Sequence, residues 1–438
     1  MTGLDLSGTS TRGRTHLGRV GEMLDAHSMG PRLQKAIGAG GRGQCHVLDA
    51  KYEPGVRCTV LYRAGDVLVR GDLVDEEKEP VDPFRPVVAP GVRLSCFPDD
   101  PDLPRLSDVA GPATLRDALR DALPGGGPIL RCRVDLVRYR PGRRATLTVE
   151  MRGSGDPSRR RPQRLVVKCY HDAGKAAAVA AEAVLLDATV DPAAPLRFAP
   201  VRAHLPELSS VVQEHVSGVR LDTVIRLPGP VPERALRRAA VALAALHRQP
   251  VVSSRTRAID KELARFVARG LRVAEVDAAT GTALVALGTR LAETADDASP
   301  GVIGLVHGDC KPSQFLLRDE REVVLLDLDS CGQADPAGDV GTFLATMRQH
   351  NLRQVLARRT TATEARAQAA LAEGFLDQYV EAAGGGADVE LRRRIAWYEA
   401  VALQRKALRC FARAPRSPLT RALVEHGHAR LDRLGGMR

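Results

Sequence analysis

One stretch of the chain carries side chains whose spacing suits phosphoryl transfer. From His307 to Asp329 it reads HGDCKPSQFLLRDEREVVLLDLD. Asp309 is placed to accept or orient the proton of a hydroxyl that attacks a γ-phosphate, and Lys311 can offset the charge of the same phosphate. This chemistry depends mainly on positioning and on charge neutralisation. We therefore predict that Asp309 and Lys311 are catalytic.

The same stretch offers oxygen ligands for magnesium. The side-chain oxygen of Gln314 lies five residues after Asp309, and Asp327 is expected to end the next strand with a hard carboxylate. Asp329 is expected to point the same way one pleat later, because alternate strand residues share a face. The competing interpretation is that these aspartates only cap turns. The complete spacing of the stretch favours a magnesium site.

A second group of residues, further upstream, predicts a nucleotide clamp. Lys168 lies on an apolar strand and Glu182 follows fourteen residues later on an Ala-rich helix. An ion pair between them would hold the lysine against the α- and β-phosphates. The turn at Gly142 and Arg143 would lie over the phosphates, although a turn with one glycine is a weak phosphate signal. The alternatives are an edge-strand charge for Lys168 and a solvated helix residue for Glu182.

Three further positions fit around such a site. The strand in SSVVQEHVSG predicts a hinge whose backbone at Gln213–His215 meets an adenine edge, with an ordinary buried strand as the alternative. Asp339 is expected to brace the catalytic loop or to cap the helix that follows ADPAGDVG. His247 ends a helix, and we interpret it as packed or capping rather than catalytic.

The elements that must position these residues change character along the chain. Strand patterns precede residue 215, and mostly helical patterns follow it, which predicts an α+β chain with two lobes. Helical patterns cover Ala173–Thr189, a segment ending near His247, Lys261–Val276, Ala283–Asp296, Gly338–His350, Glu364–Ala383 and Glu390–Arg413. Strand-like runs at Val302–Val306, Gln314–Leu317 and Val323–Leu328 bracket the catalytic stretch.

Two hairpin patterns resemble each other. Lys51–Tyr62 reads KYEPGVRCTVLY and Arg138–Val149 reads RYRPGRRATLTV, with Tyr, Pro-Gly, Arg and Thr at matching positions. Each is typical of strand, turn and strand. A third apolar run follows each hairpin, and Arg70 in the first run stands for Lys168 in the second. We interpret the first copy as a degenerate repeat that serves as a cap, with chance similarity as the alternative.

Net charge, cysteine spacing and the length of apolar runs limit the classes of protein to which this chain can belong. The 438 residues carry a formal net charge of +11, and the segment from residue 387 to the end has 12 Lys and Arg against 5 Asp and Glu. Interleaved aromatics and known nucleic-acid-binding modules are missing, which argues against nucleic acid as the partner of these charges and favours solvated helix faces. The eight cysteines form no CxxC pair. No apolar run approaches membrane length, and we expect a cytoplasmic protein without a membrane partner.

Taken together, these residues resemble the aminoglycoside phosphotransferase/choline kinase-like family of small-molecule kinases. The motifs HGDCKPSQ, LLDLD and ADPAGDVG carry the resemblance, which spans residues 129–413. It implies a bilobal protein-kinase-like fold with a small β-rich N-lobe, a helical C-lobe and an extra N-terminal α+β capping domain. It also implies ATP and magnesium as cofactors, Asp309 as base, Asp327 as main metal ligand and Lys168 as phosphate lysine.

The domain division expected from the sequence is a cap at residues 1–123, an N-lobe at 124–215 and a C-lobe at 216–438. The resemblance implies a kinase for a hydroxyl of a sugar, an aminoglycoside or an amino alcohol. Gln314 replaces the Asn of the family, so a pseudokinase that binds nucleotide or acts as a scaffold without turnover is the alternative. The basic C-terminal helices favour a neutral or anionic acceptor. The oligomeric state is not predicted.

Overall fold

A computed structural model describes residues 11–38, 44–74, 86–89, 91–123, 129–153, 163–250, 253, 255–256, 258–295, 303–384 and 389–435. The chain divides into two compact units. The first contains Met1–Val184, Pro200–His215 and Ala412–Ala414, and the second contains Leu185–Ala199, Val216–Phe411 and Pro415–Arg438. Strands and helices are numbered below in chain order. The three-domain division expected from the sequence stays a prediction.

The first unit contains two antiparallel five-stranded sheets. The first sheet has the order β1-β2-β3-β5-β4 and the second has the order β10-β11-β8-β7-β6. Their strands are β1 Cys45–Glu53, β2 Arg57–Ala64, β3 Val67–Leu73, β4 Val87–Ala89, β5 Val92–Cys96, β6 Ile129–Arg140, β7 Arg144–Gly153, β8 Gln163–Tyr170, β10 Val201–Leu205 and β11 Ser210–Glu214. The helices are α1 Thr11–Leu24, α2 Ala26–Ala36, α3 Leu106–Ala110, α4 Pro112–Ala122 and most of α5 Ala173–Thr189.

Apolar side chains on one face of the second sheet form its core. Leu147, Val167 and Val212 are buried in one cluster with Leu115 and Leu119 of α4. Burying such side chains stabilises the fold by roughly 1.5–3 kcal/mol each. The helix α4 therefore covers the sheet that carries Lys168.

The two hairpins of the first unit have the same turn. In each turn, the residue that follows Pro-Gly donates its N–H to the carbonyl oxygen of the residue that precedes Pro-Gly. Val56 donates to Glu53 and Arg143 to Arg140, both at 3.0 Å. The glycines Gly55 and Gly142 have φ of 69° and 65°. Pro followed by a glycine of positive φ is the pattern of a type II turn. The two hairpins therefore close with the same kind of turn, and the repeat expected from the sequence stays a prediction.

The register between strands corrects one detail of that repeat. Thr146 pairs with Lys168 across β7 and β8, whereas the equivalent Thr59 pairs with Asp72 across β2 and β3. Arg70 pairs with Leu61 instead. The prediction that Arg70 occupies the lysine position is wrong, because the third strand of the first sheet is offset by two residues. Asp72 stands in that position.

The second unit is mostly helical. Its helices are α6 Leu221–Val224, α7 Val231–His247, α8 Ile259–Ala274, α9 Ala278–Glu293, α10 Ala337–Leu356, α11 Ala362–Ala382, α12 Val389–Arg413 except its last residues, and α13 Pro418–Gly435. Its strands form the sheets β12-β14-β15-β9 and β13-β16. They are β9 Leu196–Phe198, β12 Val219–Arg220, β13 Gly304–Val306, β14 Phe315–Leu317, β15 Val323–Leu325 and β16 Gly332–Ala334.

The predicted helices of this unit are present with ends shifted by up to six residues, and α6 and α13 are two helices that the sequence did not predict. The strand expected at Val323–Leu328 is shorter, because β15 ends at Leu325 and a 3₁₀ turn occupies Leu328–Ser330. Ends of this kind are the least certain part of any sequence pattern. Among the described residues, every helix falls short of the length and apolar content that crossing a membrane requires.

Candidate active site

One buried carboxylate fixes the backbone of residues 307–314, which we call the catalytic loop after its predicted role. Asp339, in the first turn of α10, accepts the N–H of His307 at 2.6 Å and that of Gly308 at 2.8 Å. His247, at the end of α7, lies 3.3 Å from the same carboxylate. Burial alone would raise the pKa of Asp339, but the contact with His247, the nearby His307 ring and the His307 N–H lower it. The predicted brace by Asp339 is confirmed, and His247 is packed.

The ring of His307 contacts two separate segments, at Leu326 and at Asp309. Its Nε2 lies 2.8 Å from the carbonyl oxygen of Leu326, and its Nδ1 lies 3.3 Å from the N–H of Asp309. The carbonyl can only accept, so Nε2 carries the proton and Nδ1 accepts. Since Leu326 precedes Asp327, this fully buried ring ties the loop to the segment that carries Asp327, the predicted metal ligand.

Asp309 and Lys311 form an ion pair at the open side of this loop. Lys311 Nζ lies 2.5 Å from Asp309 Oδ2, and both side chains are partly exposed. Burial alone would raise the pKa of Asp309, but the nearby Lys311, together with Arg409, lowers it below its ordinary value. The carboxylate is therefore ionised at neutral pH and can accept a hydrogen bond.

Gln314 and Asp327 converge, as a shared metal site requires. The side-chain amide nitrogen of Gln314 lies 3.2 Å from Asp327 Oδ2. The Leu326 N–H donates to the backbone carbonyl oxygen of Gln314 at 2.9 Å. Amide oxygen and nitrogen are assigned from such contacts, so either atom can face the carboxylate. One amide and one carboxylate fit Mg²⁺, which retains water and binds phosphate oxygens in proteins.

The backbone around Asp329 is not the extended strand on which its predicted side-chain direction depended. Asp327 has φ 64° and ψ 55°, a left-handed conformation, and a 3₁₀ turn follows it. The alternation of side chains holds only in extended strands. The argument for placing Asp329 on the face of Asp327 is therefore wrong, and its role as a metal ligand stays a prediction.

The first unit carries the predicted nucleotide clamp. Lys168 on β8 and Glu182 on α5 are both buried. Glu182 Oε1 is buried and accepts no hydrogen bond from the described residues. A buried carboxylate oxygen of this kind is costly unless a partner arrives. The ion pair between the two side chains stays a prediction.

The predicted hinge lies at the end of β11. Gln213 pairs with Val166 of β8, and the N–H groups of Glu214 and His215 donate to Pro200 and Arg164 at 2.9 and 3.2 Å. Those two N–H groups are already used by the sheet. An adenine edge at this hinge would have to be recognised by the neighbouring carbonyl oxygens or by the next N–H group.

The predicted phosphate turn is held by a carboxylate of its own unit. The Gly142 N–H donates to Asp100 Oδ2 at 2.8 Å, and Arg143 beside it is exposed. A phosphate cannot accept this N–H while Asp100 does. The predicted position of Gly142 and Arg143 over the phosphates stays a prediction, and in this conformation the Gly142 N–H is used by Asp100.

Comparison with known proteins now assigns the family. The model of the phosphotransferase enzyme family matches residues 155–409, more than half of the chain. The chain belongs to the phosphotransferase enzyme family. A search of curated protein sequences finds no match to this phosphotransferase.

Solved structures agree with the kinase-like fold. A choline kinase from Cryptosporidium parvum Iowa II is similar at 10% identity and TM-score 0.52, covering 74% of this chain and 97% of its own. A choline/ethanolamine kinase family protein from Mesorhizobium loti has 18% identity and TM-score 0.45, with coverages of 74% and 94%. A GDP and kanamycin complex of an APH(2") enzyme has 15% identity and TM-score 0.49, with coverages of 73% and 98%. The predicted α+β, bilobal protein-kinase-like fold is confirmed.

Sequence reasoning missed two basic side chains that act electrostatically on Asp309 or on each other, Lys406 and Arg409. Lys406 on α12 donates to Thr346 Oγ1 at 2.8 Å and to Gln349 Oε1 at 3.3 Å. Burial, and then the charge of Arg409 on the same helix, lower the pKa of Lys406 to about 7, while Asp309 acts in the opposite direction. The signal was the basic run QRKALR in α12, which the sequence alone could not place beside Asp309.

Proposed function

We propose that this phosphotransferase is an ATP-dependent small-molecule kinase that phosphorylates a hydroxyl group. The observation that carries the proposal is the catalytic loop. Within eight residues it presents an ionised carboxylate, an ammonium paired with it and an amide that reaches Asp327. Nucleotide use is supported by the family and by relatives whose structures contain GDP or ADP.

Asp309 has the properties of the base in such a reaction. Its pKa is lowered, so it is ionised at neutral pH and can accept the hydrogen bond of an incoming hydroxyl. Phosphoryl transfer passes through a loose transition state, in which orienting the hydroxyl matters more than early proton removal. Lys311, 2.5 Å away, would turn from Asp309 to the transferring phosphoryl group when substrates bind.

The other predicted site residues would bind the nucleotide and its magnesium ion. Gln314 and Asp327 would hold magnesium, which when bound neutralises phosphate charge. Lys168 would contact the α- and β-phosphates, and Glu182 with its unused oxygen would orient that lysine. Asp339 and His307 contact neither substrate in this proposal, because both are buried and hold the loop in place.

The charges near Asp309 favour a neutral or anionic acceptor such as a sugar. Lys311, Lys406 and Arg409 all affect the charge state of Asp309 or of one another. A polycationic aminoglycoside or a positively charged amino alcohol would be repelled by these groups. A sugar hydroxyl carries no charge and meets no such penalty.

The test is phosphate transfer by wild type and by Asp309→Asn with sugars, aminoglycosides and amino alcohols as acceptors. We expect the variant to lose about 10²–10⁴-fold in kcat, because the base is removed while the shape is kept. Glu320→Gln, at an exposed position of the same stretch, is the matched control and should match wild type. Wild-type turnover in Asp309→Asn would exclude Asp309 as the base.

A second experiment separates a kinase from the pseudokinase alternative. Shortening Gln314 to Asn would withdraw the amide by about 1.5 Å, one carbon–carbon bond. Because Gln314 already reaches Asp327, we expect Gln314→Asn to lower turnover and to raise the magnesium concentration that is required. A rise in turnover would identify Gln314 as a defect. ATP-dependent thermal stabilisation of wild type without transfer to any acceptor would favour the pseudokinase.

A further inference from the structure

A buried ionic network lies directly behind the Pro-Gly turn of the second hairpin. Asp100, whose side chain is fully buried, accepts Arg70 Nη1 at 2.5 Å, the Tyr139 hydroxyl at 2.8 Å and the Gly142 N–H at 2.8 Å. Arg70 also pairs with Asp102 at 2.6 Å. We call these five residues the turn anchor.

The turn anchor links the two sheets of the first unit. Arg70 lies on β3 of the first sheet, whereas Tyr139 and Gly142 lie at the tip of the second hairpin. Arg70 is fixed further by Asp72, 2.8 Å from its Nε. Burial alone would lower the pKa of Arg70, but the surrounding aspartates raise it, so the guanidinium remains charged. The first sheet thus supplies a fixed cation and, through it, a fixed carboxylate.

The geometry points to a brace rather than to a site that a nucleotide must displace. Asp100 has one oxygen on Arg70 and the other on Tyr139 and Gly142, so both of its oxygens are satisfied. Hydrogen bonds to a charged group are stronger than neutral ones, and leaving such a group unpaired in the interior is costly. Displacing Asp100 from the turn would leave a buried carboxylate oxygen and a buried hydroxyl with fewer partners.

We infer that Asp100 is a positioning residue for nucleotide binding: it fixes the β6–β7 turn and thereby the place at which Arg143 is presented. The inference rests on the proposed function, because it assumes that this turn faces the nucleotide. A turn with one glycine makes few N–H groups available to phosphate. A rigid turn that presents a side chain loses less freedom on binding, which favours affinity.

The test compares Asp100→Asn with Asp99→Asn, which makes the same change on the exposed neighbouring side chain. In Asp100→Asn we expect the nucleotide KM to rise about tenfold, the loss of one charge-assisted contact, with the acceptor KM unchanged. Tyr139→Phe removes one bond to Asp100 and should give a smaller rise in the nucleotide KM. Asp99→Asn should resemble wild type.

Amide hydrogen exchange gives a readout that needs no turnover. Without nucleotide, exchange at Gly142 should be slow in wild type and in Asp99→Asn, and about tenfold faster in Asp100→Asn. Should Asp100→Asn fail to fold, Tyr139→Phe carries both measurements.

Two results would overturn the inference. One is faster exchange at Gly142 with an unchanged nucleotide KM, and the other is a lower nucleotide KM, which would make Asp100 an inhibitory contact. Failure of wild type to bind nucleotide at all would instead refute the proposed function, while the exchange measurement would still report on the anchor itself.

Discussion

The two five-stranded sheets of the first unit contain the same kind of hairpin turn but differ in the charged side chains beside it. Both have the Pro-Gly turn closed by a 3.0 Å hydrogen bond. Opposite the equivalent threonines, however, one sheet has Asp72 and the other has Lys168. The first sheet turns its charges inward to bind one another, whereas the second carries the lysine predicted to meet phosphate. Two hairpins with the same turn therefore carry opposite charges at the matching register position.

The environments of the two turn glycines differ in the same way. A Cβ added at Gly55 would meet no atom within 4 Å, whereas one added at Gly142 would lie 2.7 Å from Asp102 Oδ2. The first turn is open and the second is covered by the turn anchor. The first sheet thus supports the second through residues far from its own turn.

The sharpest test of this contrast removes, one at a time, the two charges at the equivalent register positions. Lys168→Met should lower kcat/KM for the nucleotide on the order of 10²-fold, as loss of a preorganised phosphate contact does. Asp72→Asn should leave activity within about threefold and lower the free energy of unfolding by about 1–3 kcal/mol, because Arg70 loses a partner. Steady-state kinetics and denaturant unfolding measure both. Equal losses of activity would remove the distinction between the sheets.

A second test addresses the ionic interior of the first sheet. Arg70→Met would leave the carboxylates of Asp72 and Asp100 buried without their cation, and we expect the free energy of unfolding to fall by about 3–5 kcal/mol. Val166 stands at the matching register position of the second sheet. Val166→Met should cost less than about 1.5 kcal/mol. Urea unfolding of both variants gives the comparison, and a loss below about 1 kcal/mol in Arg70→Met would contradict a single coupled network.

The smallest expected difference concerns the turns themselves. Both glycines have positive φ, so alanine should cost about 1–2 kcal/mol at either position. Gly142→Ala should cost more than Gly55→Ala, because its Cβ must displace Asp102. Thermal melts of the two variants measure the difference. Equal melting temperatures would mean that the half-exposed Asp102 side chain moves aside at little cost.

Much of the candidate site could be predicted because its contacts are local. Asp309, Lys311 and Gln314 lie in one loop, and the ADPAGDVG motif placed Asp339 close enough to brace it. The Pro-Gly pairs likewise predicted both turns, since few residues suit their dihedral angles. Sequence patterns suffice where chemistry and geometry involve neighbouring residues.

The rest depends on backbone conformations and on distant contacts. Asp329 was misplaced because the left-handed backbone at Asp327 ends the alternation of side chains. Arg70 was misplaced because strand register is set by turns and packing, and a shift of two residues keeps every side chain on its face. Asp100 was missed because its contact with Gly142 joins residues 42 positions apart.

The turn anchor also matters for how this protein is shortened in the laboratory. The family match begins at residue 155, and an expression design guided by it would omit Asp100, Tyr139 and Gly142. Even a design that begins at the second hairpin would retain the turn while discarding the carboxylate that holds it. Such a fragment would expose the Tyr139 hydroxyl and the Gly142 N–H to water at the tip of the second hairpin. A fragment that keeps this turn in its observed place therefore has to include Asp100, well upstream of the family match.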